Sequence, residues 1–249
     1  MRKKLIAANW KMYKTPDQAR DFLAVFLPQV LEHTRDEIVL CPSFLGIPEV
    51  ASALNGNGIG LGGQDLFWEN EGAYTGAVSA HMLRAAGCTH VIIGHSERRQ
   101  YFGETDDTVN RKLSAALSAE LIPIVCVGEH LQERMAGVTA EVLRRQSSLA
   151  FHEIASGKAN SIAMAYEPVW AIGTDKTATP ELAGDAHRII RAEARKVFGE
   201  GVAGQMRILY GGSVKPENAR LLMSHPEIDG ALVGGASLDP KSFAAIVKY

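Results

Sequence analysis

Residues 161 to 174 read SIAMAYEPVWAIGT, and Glu167 is the residue there with chemistry to offer. It follows the apolar run Ile162 to Ala165, which contains no cation to pair with it. Burial against apolar neighbours raises a carboxyl's pKa and makes it a better base near neutral pH. His95 is a second candidate. It follows Val91-Ile92-Ile93-Gly94 and opens the polar turn Ser96-Glu97-Arg98-Arg99. The positive end of a helix dipole disfavours a histidine cation, so a neutral imidazole able to polarise a carbonyl is expected. Asn9-Trp10-Lys11 also follows an apolar run, and Lys11 there would attract an anion and stabilise developing negative charge. Gly211-Gly212-Ser213 and Gly234-Gly235 each precede a helix-like segment. Bare glycine N–H groups beside helix starts bind anions, so these two loops are read as a phosphate site. Taken singly, each feature has a plainer reading: a solvated lysine, a satisfied histidine, a tight turn, a structural carboxylate.

Elements that bring such distant positions together must be many and regular. Strand-like runs are Lys4 to Ala8, Glu37 to Cys41, Gly58 to Gly62, His90 to Ile93, Leu121 to Val127, Ser161 to Tyr166, Arg207 to Tyr210 and Gly230 to Val233. Most are aliphatic on both faces, as in a buried parallel sheet. Helical periodicity lies between them, most plainly from Pro180 to Phe198. There Leu182, Ala186, Ile189, Ile190 and Val197 define the expected buried stripe, Thr179 the cap and Gly199 the stop. Eight strand–helix units without a linker predict one α/β domain over residues 1–249, a closed (β/α)8 barrel. An open doubly wound sheet is the rival. The residues singled out above all follow strands, the end where such barrels carry their active sites.

Gly58-Ile59-Gly60-Leu61-Gly62-Gly63 matches a dinucleotide fingerprint. No helical stripe follows it, so the glycines are read as thinning a strand where backbones crowd. No P-loop is present. Of 249 residues 46% are hydrophobic and 22% charged, and the net charge is −2, which suits a globular chain with one large core and no nucleic-acid partner. No apolar stretch is long enough for a membrane span or a signal peptide, and a cytoplasmic location is expected. Cys41, Cys88 and Cys126 are too far apart for a zinc motif and are read as buried thiols. No metal or organic cofactor is expected.

Six motifs then carry a resemblance from end to end: Asn9-Trp10-Lys11, Gly94-His95-Ser96-Glu97-Arg98-Arg99, Cys126-Val127-Gly128-Glu129, Ala165-Tyr166-Glu167-Pro168-Val169-Trp170-Ala171-Ile172-Gly173-Thr174, Tyr210-Gly211-Gly212-Ser213-Val214 and Val233-Gly234-Gly235-Ala236. In this order and spacing the chain resembles the triosephosphate isomerase family, whose fold is the TIM barrel. The resemblance implies interconversion of dihydroxyacetone phosphate and glyceraldehyde 3-phosphate. It implies Glu167 as base, His95 as neutral electrophile, Lys11 and Asn9 as stabilisers of an enediolate, and Gly173, Ser213, Gly234 and Gly235 as phosphate donors. It also implies a lid after Glu167 and no cofactor. Finally it implies a homodimer, in which loop Gly72-Ala73-Tyr74-Thr75-Gly76 enters the partner with Thr75 at its tip.

Two residues depart from the family pattern. Ala77 stands where many members carry glutamate, which puts an inter-subunit ion pair to Arg98 in question. A dimer is still expected, since such pairs contribute little alone. Asp175 stands where most members have glycine in the lid. Its charge should weaken binding of a dianionic substrate modestly. Asp175→Gly is then expected to lower KM at low salt, and an unchanged KM would count against this. The rivals are another phosphosugar barrel enzyme, which has no reason to carry this lid, and an inactive barrel scaffold, which should have lost Glu167, His95 or Lys11.

Overall fold

A computed structural model describes residues 2–54, 56–172 and 178–249. Among the described residues, eight strands close into a parallel barrel in chain order. They are β1 (Leu5–Asn9), β2 (Glu37–Cys41), β3 (Gly60–Gly63), β4 (His90–Ile93), β5 (Ile122–Val127), β6 (Ala163–Tyr166), β7 (Arg207–Tyr210) and β8 (Gly230–Val233). The ring is sealed by β1 against β8, with Leu5 opposite Gly230 and Ala8 opposite Val233.

Side chains alternate across each strand, so the barrel has two apolar layers. Leu5, Ala7, Val39, Ile92, Ile124 and Leu209 fill the interior. Ile6, Ala8, Leu40, Val91, Ile93 and Ile208 point outward and pack under the helices. Burial on both faces explains why the strands read as aliphatic runs rather than alternating ones.

The glycines of β3 follow from crowding. A Cβ on Gly62 would lie 2.6 Å from Cys41 Sγ, and one on Gly63 2.8 Å from Leu83 Cδ1. The strand starts two residues later than expected, because Gly58 has φ +78° and belongs to the preceding turn.

The helix from Pro180 to Gln205 starts where expected, with Thr179 Oγ1 accepting from Leu182 N at 3.3 Å. Gly199, at φ 83° and ψ 172°, breaks it into two helical pieces. Its buried face shares Ala186 and Ile190 with the expected stripe but is turned away from the rest of it. Leu182 and Val197 are exposed, and the inward stripe is Ala183, Ala186, His187, Ile190, Arg191, Ala194 and Phe198. Two polar residues occupy that stripe, which hid it from an apolar pattern. Arg191 is satisfied inside: it donates to Ala203 O at 2.7 Å and Met206 O at 2.8 Å and pairs with Asp229 at 2.8 Å. His187 is bonded through Nδ1 to Glu227 O.

Candidate active site

Asn9, Lys11, His95, Glu167, Ser213 and Gly234 line one cavity of about 360 Å³ at the C-terminal ends of the strands. Gly235 lines it too. Gly173 and Asp175 lie outside the described residues.

Each group is held by its local structure. Lys11 turns off β1 with φ 52°, a left-handed backbone that costs roughly 1–2 kcal/mol outside glycine. Hydrogen bonds hold it there. Its N–H donates to Asn9 Oδ1 at 3.0 Å, and Gln64 Nε2 donates to its carbonyl at 2.9 Å. The Lys11 ammonium meets Glu97 Oε1 at 2.6 Å. His95 caps the helix Ser96–Tyr101, and its Nδ1 accepts from Glu97 N at 3.2 Å. A ring whose Nδ1 accepts carries its proton on Nε2 when neutral. That Nε2 lies 2.8 Å from Glu167 Oε1, and Ser96 N donates to Glu167 Oε2 at 2.9 Å. Glu167 is 2% exposed and His95 6%.

These contacts reverse the pKa shift expected from burial alone. Burial pushes Glu167 up, but His95, the Ser96 N–H and Lys11 pull harder and hold it below the ordinary carboxylate value. Burial pushes His95 down, but Glu167 beside it raises it above the ordinary histidine value. Each group is the main cause of the other's net shift. Whatever separates them returns Glu167 to the upward push of burial and His95 to the downward one.

Space forces glycine at the first of the two loops and leaves Gly235 of the second open. A Cβ on Gly211 would lie 2.9 Å from Glu167 Cγ, and one on Gly212 2.2 Å from the Tyr210 hydroxyl. One on Gly234 would lie 3.3 Å from Lys11 Cε. Ser213 does not cap the helix Pro216–Ser224, since Lys215 takes that place.

Beyond Glu167, the chain is tied down by a residue whose role no motif shows. Glu129 is fully buried, and its Oε1 accepts from Trp170 Nε1 at 2.8 Å and from the Tyr166 hydroxyl at 3.1 Å. Its carbonyl accepts from Val169 N at 3.1 Å. On the far side, Ala178 N donates to the Tyr210 hydroxyl at 3.3 Å. Two fixed posts therefore flank residues 173–177.

Thr75 sits in the run 69–77, all of it exposed. Arg98 pairs within its own chain, with Asp65 at 2.9 Å and Glu104 at 3.4 Å, so Ala77 does not leave its charge alone.

All the groups with chemistry to offer stand at one rim, and that places the chain among the TIM-barrel enzymes. The family model described as triosephosphate isomerase matches residues 4–249. The triosephosphate isomerase of Moorella thermoacetica is 56% identical over all of this chain and 99% of its own. That of Solibacter usitatus is 54% identical over the full length of both. The crystal structure of triosephosphate isomerase from Bartonella henselae superposes with a TM-score of 0.89 at 38% identity, covering 98% of this chain and 97% of that one. The chain belongs to the triosephosphate isomerase family.

Proposed function

We propose that this chain interconverts dihydroxyacetone phosphate and D-glyceraldehyde 3-phosphate by proton transfer through an enediolate. The contact between His95 Nε2 and Glu167 Oε1, 2.8 Å inside the cavity that Lys11 and the glycine loops share, carries this reading. A glutamate base, a neutral histidine and a closing loop are this family's known arrangement.

The geometry suits that chemistry in a particular way. A substrate carbonyl oxygen placed at His95 Nε2 displaces Glu167 from it. His95 then loses the carboxylate that raised its pKa most and keeps burial, Lys11 and the Glu97 N–H, which favour the neutral ring against the remaining pull of the Glu97 carboxylate. Glu167 loses the imidazole that lowered its pKa most, so burial, the largest influence on it, meets only the Ser96 N–H and Lys11 and strengthens it as a base. The carboxylate takes the proton from the carbon beside the carbonyl and returns it to the neighbouring carbon. His95 Nε2–H stabilises the charge that forms on oxygen, with Asn9 and Lys11 alongside. Backbone N–H groups of Ser213, Gly234, Gly235 and Gly173 take the phosphate. A lid after Glu167, as the family resemblance implies, would keep water from the enediolate, and its residues 173–177 lie outside the described residues.

The same reading makes the protein a homodimer. Met12 and Leu45 are exposed at 94% and 81%, and a hollow of about 400 Å³ lined by Phe44, Trp68, Ala77, Arg98 and Phe102 suits a protruding loop such as 72–76 with Thr75 at its tip. Sedimentation equilibrium tests this, and a monomer at micromolar concentration would count against it. Three buried free thiols suit a cytoplasmic location.

The test of function is turnover of D-glyceraldehyde 3-phosphate by the purified chain. Fast conversion is expected. No conversion, with turnover of another phosphosugar or of none, would overturn the proposal.

A further inference from the structure

We propose that Gln146 is a positioning residue for the reaction, holding the backbone on which Glu167 rests. This rests on the reading of Glu167 as the base. Gln146 lies on the helix Thr139–Ala150, outside the barrel, and is 7% exposed. Its side chain grips both backbone groups of one residue. Oε1 accepts from Gly128 N at 2.7 Å, and Nε2 donates to Gly128 O at 3.2 Å. An amide presents an acceptor and a donor in one plane, so it matches a backbone N–H and C=O together.

Gly128 is the residue at which such a grip has most effect. It follows β5, just past the last ladder bond, which Glu167 N makes to Val127 O at 2.8 Å. Its Cα lies against the main chain of Glu167. A Cβ there would be 1.7 Å from Glu167 O and 2.6 Å from its carbonyl carbon. Only glycine fits, and glycine is also the residue with the widest backbone freedom. The closest approach to the base is thus made at the softest point of the chain. Gln146 removes that softness by fixing the peptide planes on both sides of Gly128.

Two further features transmit the effect. The next residue, Glu129, holds Trp170 and Tyr166 on either side of the base. A cavity of only about 20 Å³ lies between Gln146, Gly128 and Glu167, so there is little slack to absorb a shift. A displacement of Gly128 reaches the carboxylate without touching the phosphate loops. The consequence falls on kcat and not on KM.

Two substitutions test this. Gln146→Met keeps the volume and removes both hydrogen bonds. Its kcat with D-glyceraldehyde 3-phosphate is expected to fall about 10- to 100-fold, the usual consequence of misplacing a catalytic group by about an ångström, with KM little changed. Gln146→Glu accepts from Gly128 N but, when ionised, cannot donate to Gly128 O. When protonated it does both. Its kcat is expected to start low at alkaline pH and to recover toward wild type as pH falls, a trend the wild type does not show. A Gln146→Met enzyme that unfolds at lower temperature but keeps kcat within about twofold would make the clamp purely structural and overturn the proposal. A wild-type-shaped pH profile for Gln146→Glu would overturn it too, and that variant decides the matter if the Met variant does not fold. A wild-type chain without turnover defeats the reading of Glu167 itself, before either variant is measured.

Discussion

Glu167→Gln is expected to fold and to lose kcat by about 10⁴-fold, the upper range for removing a positioned general base. The amide has the size of the carboxylate, so the 360 Å³ cavity and the glycine loops keep their shape. Only one of its ends accepts, whereas the carboxylate accepts from both His95 Nε2 and Ser96 N. One of those donors is left unpaired, at a cost of about 1–3 kcal/mol of stability. The variant also isolates the histidine. Without the carboxylate, burial and Lys11 push the His95 pKa down against the Glu97 carboxylate alone, so its titration, followed by NMR, should move below that of the wild type. Steady-state kinetics of both proteins checks the first part. Equal turnover in the two would assign the base elsewhere.

A second large effect lies outside the site, at His187. Its ring is fully buried on the inward stripe of the helix Pro180–Gln205, edge-on to Tyr166 at 6.0 Å. Nδ1 donates to Glu227 O at 2.9 Å, which leaves Nε2 as the bare acceptor. No hydrogen-bond partner meets it among the described residues. Burial pushes the pKa down from 6.5 to about 4, against the upward pull of Glu227 O and Asp229. Between those values the unfolded chain binds more protons than the folded one. The folded state is therefore fully favoured above pH 6.5 and loses about 3 kcal/mol as pH falls from there to 4. His187→Gln removes this titration. Urea unfolding of both proteins at fixed concentration and several pH values should show their stability difference growing by about 3 kcal/mol from pH 4 to 7. A difference constant with pH would rule the mechanism out.

The parts of this molecule that follow from local pattern are those the amino-acid sequence displays openly. All eight strands fall within two residues of where the sequence runs place them, because burial on both faces confines polar residues such as Asn9, Glu37, His90 and Arg207 to the strand ends. Asn9, Lys11, His95, Glu167, Ser213 and the paired glycines line one cavity because barrel geometry makes strand ends converge, and that convergence is legible once eight strand–helix units are counted. What failed depends on contacts between distant segments. The face of the helix Pro180–Gln205 is only half legible: Ala186 and Ile190 show it, but His187 and Arg191 do not, since their acceptors Glu227, Ala203, Met206 and Asp229 are invisible from the helix alone. The pKa of Glu167 was expected to rise, because burial shows in a run of apolar letters and a histidine from another strand does not. Gln146 had no motif at all. Its importance comes from the glycine it touches, and a helix position facing a strand end is the only sign it offers.

The pairing of β1 with β8 bears on how this chain is made. The two strands that seal the barrel are the first and last to leave the ribosome. Until β8 is synthesised, β1 and β7 are open edges whose backbone N–H and C=O groups invite pairing with other chains. Joining the ends closes the longest loop in the molecule, and its entropy must be met before the last ladder contributes anything. The nascent protein therefore passes through a stage, absent from the finished fold, in which it is most exposed to aggregation, and truncation before Gly230 would hold it there.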